Sequence, residues 1–228
     1  MLPFTTDADT SSFNYIIADD HPATIFAVNQ MLTEVVGVSP SHLVSCPTSA
    51  ELLDAFSEPI NCPRIVVLDL IMPGDLKRAA LVRAVACADQ DVRVLVYTAE
   101  ESVFLARAVI EAGATGYVAK TSPVLELIDA LAAMRVGRRH VDRRIDLDSI
   151  KSHPWSTLTD SERAVLLAFC RGSKAPDIVA TTGRSYSTVT THKYNGLSKL
   201  GLKDGGDLLP YIYMNGLLTE LDADSSAP

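Results

Sequence analysis

Three carboxylates (Asp19, Asp20 and Asp69), one hydroxyl (Thr98) and one ammonium (Lys120) share a position in this sequence. Each stands directly after a short apolar run: YIIA, IVVL, VRVLVY or YVA. If those runs are parallel strands, all five groups arrive at the carboxyl edge of one sheet, where ligands and chemistry gather in open α/β folds. Clustered carboxylates repel, so they call for a cation, and an all-oxygen ligand set suits Mg²⁺ or Mn²⁺. With a hard cation beside it, Asp69 can attack an electrophilic phosphorus and carry the phosphoryl group as an acyl phosphate. Thr98 and Lys120 would then hold the phosphoryl oxygens. Singly, each residue has an ordinary explanation. A strand-terminal Lys is usually solvated, Thr suits strands, and Asp-Asp before His21-Pro22 can cap a helix.

The elements that must position these groups are legible in the pattern. The runs 15–18, 43–46, 65–68, 92–97 and 117–119 have strand length, and helical patterns lie between and after them at 23–36, 50–56, 76–86, 103–112 and 124–134. Parallel neighbours need crossover helices, so the alternation predicts a doubly wound sheet of five parallel strands. In the last of these helices Leu125, Ile128 and Leu131, with Leu127 and Met134, recur at steps of three and four, as on a buried stripe.

Charge divides the chain. Residues 14–133 carry 7 Lys/Arg against 15 Asp/Glu, residues 134–156 carry 6 against 3, and residues 157–212 carry 7 against 5. The acidic half would be repelled by nucleic acid, and the later segments would tolerate it. No run of eighteen apolar residues suggests a membrane span, and the N-terminus lacks the basic and apolar regions of a secretory signal. Cys46, Cys62, Cys87 and Cys170 show no CxxC pair and no His at zinc-ligand spacing, which fits thiols in a reducing cytoplasm.

From Leu158 the period turns helical. Thr159-Asp160-Ser161-Glu162 has the form of a capping box, Ser173 and Ser185 can cap two further helices, and Gly183 can stop the first of those. A last helix is expected over 208–217. Four short helices, the second and third joined by a tight Gly turn, form a helix-turn-helix arrangement. No carboxylate occurs from Ser185 to Leu200, where a merely solvated helix would carry some, and this suits a surface that meets phosphates.

The motifs IIADDHP, VVLDLIMPG, VLVYTA and GYVAKTSP, with intervals of 29 residues from Asp69 to Thr98 and 22 from Thr98 to Lys120, make residues 14–135 resemble the receiver domain of a bacterial two-component response regulator. LTDSERAVL, DIVATTGRSYSTVTTH and NGLSKLGL make residues 157–215 similar to the LuxR-type helix-turn-helix, the arrangement of the NarL/FixJ family. The IIADDHP opening and Gly196 also resemble the subgroup of the enterobacterial capsule regulator. The resemblance implies a flavodoxin-like receiver, a basic linker over 136–156 and an all-α DNA-binding domain over 157–217, flanked by a disordered arm (1–13) and an acidic, disordered tail (218–228). It implies Asp69 as phosphoacceptor, Asp19, Asp20, Asp69 and the Ile71 carbonyl as Mg²⁺ ligands, Thr98 and Tyr117 as switch residues, and Lys120 as phosphate-binding lysine. Thr190, Thr191 and Tyr194, with Ser187, fall where base edges are read; Lys174, Lys193 and Lys199 fall where phosphates are gripped. The implied partners are a sensor histidine kinase or phosphotransfer protein, and double-stranded DNA bound as a homodimer or as a heterodimer with another regulator. Five departures stand out: Thr121 replaces the proline that many receivers carry after the lysine, Ile71 places an apolar side chain two residues past the acceptor, Thr190 and Tyr194 replace basic residues common at those positions, and Gly196 stands where an apolar residue is usual. The protein so read is a cytoplasmic regulator and not a metabolic enzyme. The rival readings are an interaction protein that titrates a kinase or another regulator, and a DNA binder set by a partner protein instead of by phosphate.

Overall fold

The computed structural model describes residues 13–57 and 62–222. The expected arm and residues 223–228 of the expected tail lie outside them, apart from Phe13, which is buried in the core. The chain divides into two compact units, the first holding the sheet and running to Ile145 apart from Ser102–Leu105, which group with the second, and the second continuing from Asp146. No helix among the described residues is long and apolar enough to cross a membrane.

In the first unit, strands β1 (Asn14–Ala18), β2 (Leu43–Cys46), β3 (Arg64–Leu68), β4 (Val92–Thr98) and β5 (Gly116–Ala119) alternate with helices α1 (Pro22–Met31), α2 (Ser49–Asp54), α3 (Arg78–Ala88), α4 (Val103–Glu111) and α5 (Val124–Arg135). All strand pairings are parallel, in the order β2-β1-β3-β4-β5 and then a sixth strand, β6 (His140–Val141). The expected count of five was one short. β6 is only two residues long and sits in the basic stretch read as linker, pairing Gly116 with His140 and Tyr117 with Val141.

β3 is buried along its whole length, as an apolar run without alternation requires when helices cover both faces. On one face Tyr15, Ile17, Ile65, Val67, Leu95 and Val118 meet α1 and α5 through Val28, Met31, Leu127, Ile128, Leu131 and Met134. Leu125 is not part of that stripe; it is 59% exposed. The register carries the functional edge: Ala18 pairs with Leu68, Leu68 with Val96, and Thr98 with Ala119, so the residues just past these strands line up side by side. The Pro73-Gly74 break past Asp69 has a packing cause. Gly74 has φ of +136°, and a Cβ there would lie 1.8 Å from Ser49 Oγ, while the Ser49 N–H donates to the Pro73 carbonyl at 2.9 Å.

The second unit opens before the first residue expected of it. Short 3₁₀ turns, Leu147–Ser152 and Pro154–Thr157, place Ile150 and Trp155 in its core beside Leu166, Leu197, Leu208 and Ile212. Five helices follow: α6 (Asp160–Cys170), α7 (Ala175–Thr182), α8 (Tyr186–Lys199), α9 (Leu208–Met214) and α10 (Leu218–Asp222). The Thr159–Glu162 capping box forms at α6, and Ser185 caps α8 as expected. At α7 the cap falls one residue later than Ser173. Lys174 takes that position, and its N–H donates to Asp177 Oδ2 at 2.9 Å. The acidic stretch after 217, expected to be disordered, instead opens with α10. Trp155 Nε1 donates to Glu220 Oε2 at 3.3 Å and Arg171 Nη2 donates to the Leu221 carbonyl at 2.8 Å. These two bonds tie down a segment whose composition argued against order.

Gly196 explains its own presence inside α8. A Cβ at this position would lie 2.8 Å from Leu166 Cδ1 and 3.2 Å from Leu166 Cγ, and Leu166 is fully buried. Glycine therefore permits the close α6–α8 approach. Helix propensity alone would make Gly196→Ala stabilising by about 0.8–1.0 kcal/mol. Overpacking of a filled core costs about 1–3 kcal/mol, so the variant should be net destabilised by about 1 kcal/mol. Fluorescence of Trp155, the one tryptophan in the sequence, reports this under urea; a rise in the midpoint would refute the packing account.

Candidate functional site

At the carboxyl edge of the first unit, Asp19 and Asp69 are buried and sit on adjacent strands, tied by the Asp69 N–H donating to the Ala18 carbonyl at 2.8 Å. The Lys120 ammonium lies between them, 2.7 Å from Asp19 Oδ2 and 2.6 Å from Asp69 Oδ2. Burial on its own would lower the lysine's pKa, but hydrogen bonds to both carboxylates and their charges outweigh it and hold the pKa above the ordinary value. The second Asp69 oxygen is held more loosely, accepting the Ile71 N–H at 3.3 Å. The peptide after Lys120 is trans, like every peptide bond among the described residues.

Asp20 is partly exposed, and its Oδ1 is shielded from solvent without hydrogen-bond geometry to any partner among the described residues. Asp19, Asp20, His21 and Asp69 each bring one potential ligand atom into a group within 4.8 Å. A third carboxylate next to two buried ones supplies the oxygen donors a hard divalent cation needs, so these residues fit a metal ion. Ile71, whose carbonyl was assigned to the same ion, has a side chain 51% exposed at the site's rim.

Thr98 is fully buried, and its hydroxyl accepts the Glu100 N–H at 3.5 Å. Tyr117 is fully buried too, with its hydroxyl donating to the Glu100 carbonyl at 2.6 Å. Burial pushes its phenol pKa well up, helped by the charges of Glu100, Glu101 and Asp142. Both switch candidates thus touch one loop, the segment after β4.

Several residues around this edge escaped the reading of the sequence. Asp142, at the end of β6, is buried and accepts from the Ala119 N–H at 3.1 Å, the Ser122 hydroxyl at 2.5 Å and the Arg144 N–H at 2.9 Å. Burial alone would raise its pKa, but these hydrogen bonds and the Arg144 charge lower it. The Arg144 guanidinium reaches Glu101 at 3.3 Å and Thr121 Oγ1 at 3.0 Å, and Thr121 donates to Glu101. Thr121, where proline is common, therefore joins the loop after Lys120 to the loop after Thr98. A carboxylate inside a run of arginines signals nothing until strand pairing carries it to β5.

The second candidate surface is α8. Ser187, Thr191 and Tyr194 are exposed, while Thr190 is half-buried and donates to the Tyr186 carbonyl at 2.9 Å. Tyr186, not singled out beforehand, is as exposed as Tyr194, both at 61%. The three lysines differ. Lys174 is exposed at the start of α7. Lys193 folds over the Phe169 ring, with Nζ 4.4 Å from its centroid. Lys199 is ion-paired with Glu162 Oε2 at 2.7 Å, which ties α8 to the α6 capping box and leaves Lys199 less able to grip a phosphate than its position implied.

Burial alone would raise the Glu162 pKa, yet the hydrogen bonds from Lys199 and Thr159 hold it below the ordinary glutamate value. A depressed carboxylate stabilises the fold above its unfolded pKa, and that stability disappears as pH falls through the lower, folded value. The second unit should accordingly lose stability as pH falls below about 5, seen as a falling urea midpoint of Trp155 fluorescence. Glu162→Gln should flatten that dependence; an equally steep one in the variant would assign it elsewhere.

Comparisons with known proteins relate this chain to others in sequence and fold. Residues 15–132 match the response regulator receiver domain. The response regulator UvrY of Escherichia coli strain K12 is 24% identical over 212 residues, covering 90% of this chain and 95% of UvrY. The transcriptional regulatory protein RcsB of the same strain is 26% identical over 212 residues, covering 89% and 94%. The structure of RcsB from Salmonella enterica serovar Typhimurium bound to promoter P1flhDC in the presence of phosphomimetic BeF3⁻ aligns with a TM-score of 0.65 at 26% identity, covering 88% of this chain and 98% of that one. With a receiver match over more than half its length and a helical unit after it, this chain belongs to the response regulators, in the NarL/FixJ arrangement.

Proposed function

We propose that this protein is a transcription regulator switched by phosphorylation of Asp69 and acting on double-stranded DNA through α8. The observation that carries the reading is the Lys120 ammonium held between the buried carboxylates of Asp69 and Asp19, with the Asp20 carboxylate beside them. A sensor histidine kinase or phosphotransfer protein supplies the phosphoryl group. An Asp69 oxygen bonds to phosphorus, the donor's P–N bond breaks, and the electron pair leaves with the donor imidazole. Mg²⁺ or Mn²⁺, bound by Asp19, Asp20, Asp69 and the Ile71 carbonyl, would offset the negative charge gathered there. Lys120 exchanges its bond to Asp69 for one to a phosphoryl oxygen, and Thr98 turns its hydroxyl toward another. The Thr98 move pulls on the loop that Tyr117 also holds, biasing a two-state surface. The assignment is to a regulator in the cytoplasm and gives the chain no metabolic reaction.

On DNA, Ser187, Thr190, Thr191 and Tyr194 face base edges, and Lys174, Lys193 and Lys199 face phosphates, Lys199 the least freely of the three. With so few cations a single copy binds weakly, so paired binding by a homodimer, or with another regulator, is required. The structure of RcsB bound to promoter P1flhDC supports this use of the second unit.

Ile71 offers an attacking water no hydrogen-bond partner at the rim, so the acyl phosphate should hydrolyse slowly. A half-life of seconds at neutral pH would overturn that expectation.

The function is tested by selection from random oligonucleotides with and without a small phosphodonor and Mg²⁺. Enrichment of a two-fold-symmetric site that sharpens with the donor is the expected result. Enrichment indifferent to the donor would mean control by a partner protein, and none in either condition would favour the interaction protein. For any site found, log affinity should fall with log salt at a slope of about −0.9 per phosphate contact.

A further inference from the structure

His21 occupies the position before α1, and its backbone N–H donates to Asp19 Oδ1 at 2.8 Å. That turn brings its imidazole back over the carboxylates. Nδ1 lies 2.7 Å from Asp20 Oδ1 and 3.2 Å from Asp19 Oδ1. The Asp20 oxygen remains without hydrogen-bond geometry to any partner among the described residues even with the imidazole so close. Octahedral bonds of about 2.0–2.1 Å set neighbouring ligand atoms about 3 Å apart. The two separations found here bracket that edge, and Lys120 holds the Oδ2 atoms of Asp19 and Asp69, so the imidazole faces the oxygens left over. The ring is two-thirds exposed, which leaves room for water on the remaining positions.

We propose that His21, through Nδ1, is a metal ligand of the receiver pocket alongside Asp19 and Asp20, and that it shifts the pocket's preference from Mg²⁺ toward first-row transition ions. The proposal rests on the reading of this edge as a metal site. Mg²⁺ keeps its waters and gains little from an imidazole, whereas Co²⁺, Ni²⁺ and Zn²⁺ bind nitrogen donors well. An all-oxygen pocket gives the transition ions only their general affinity order. One with a nitrogen donor ranks them by softness as well, so the regulator's metal would depend on the transition-ion content of its surroundings.

The test uses the full chain with three probes: Co²⁺ by visible absorption, Mg²⁺ by calorimetry, and Mn²⁺ by electron spin echo spectroscopy. Loss of a ligand or its support costs on the order of tenfold or more in metal affinity. His21→Ala should therefore weaken Co²⁺ by about tenfold and leave Mg²⁺ within about twofold, and the ¹⁴N coupling of a directly bound imidazole should vanish from the Mn²⁺ spectrum. His21→Gln keeps a hydrogen-bonding side chain but no imidazole, so it should behave as His21→Ala does; recovery of Co²⁺ affinity in it would reveal a structural role and overturn the proposal. Absence of ¹⁴N coupling in the unmodified protein, or equal loss for Co²⁺ and Mg²⁺, would overturn it as well. Should Asp20→Asn leave Mg²⁺ binding unchanged, the metal-site reading itself falls, an outcome distinct from failure at His21 alone.

Discussion

Asp69→Asn will take up no label from a small phosphodonor in the presence of Mg²⁺, and donor-dependent DNA binding will vanish with it. The amide has nearly the same shape as the carboxylate, and its one oxygen can still accept from Lys120, so the fold around it should persist. What it lacks is the nucleophilic oxygen. Asp19 is equally buried but has Lys120, the His21 backbone N–H and the His21 ring around it, and Asp20 stands farther out. Labelling retained at the original level would mean that one of these carboxylates, or a residue elsewhere, is the acceptor.

Lys120→Met should cost about 3 kcal/mol of stability in the absence of divalent cations. Removing one partner from a buried ion pair typically costs about 3–5 kcal/mol, because the other charge stays behind uncompensated. Here two carboxylates would stay behind, with side chains only 3% and 5% exposed. Since the lysine's pKa is raised, its stabilisation is present throughout the neutral range and is lost only as pH climbs past the folded value. Adding Mg²⁺ supplies a replacement cation and should restore more stability to the variant than to the original protein. Urea unfolding followed by circular dichroism, with and without Mg²⁺, measures both effects. Equal midpoints for variant and original without Mg²⁺ would show that the ammonium does not hold this edge together.

β1, β3 and β5 and the residues past their ends were legible because a buried parallel strand is an unbroken apolar run ended by the first polar residue. β4 reads almost the same way, while β2, with Val44 and Ser45 exposed, showed only as a short run between helical patterns. Asp69, Thr98 and Lys120 could be found this way. β6 could not, since two residues carry no period and His140-Val141 lies within a basic stretch. Composition misled at α10, where acidic residues argued for disorder while Glu220 and the Leu221 carbonyl had partners at Trp155 and Arg171, about 65 and 50 residues away along the chain. Lys199 shows the same blindness. Its place on α8 suggested a phosphate, and its actual partner, Glu162, belongs to another helix. Sequence pattern reveals which groups a fold presents, and it is silent on the long-range pairs those groups make.

The sixth strand sets where this protein can be cut. A receiver severed at residue 135, the boundary that hydrophobic periodicity suggests, would lose the strand that covers β5. Gly116 and Tyr117 would become an open sheet edge, a template for pairing with other chains. The Ala119 N–H and the Ser122 hydroxyl would also lose Asp142, their acceptor beside the phosphate-binding lysine. An excised receiver therefore needs the chain through Ile145, and one that stops ten residues sooner should aggregate.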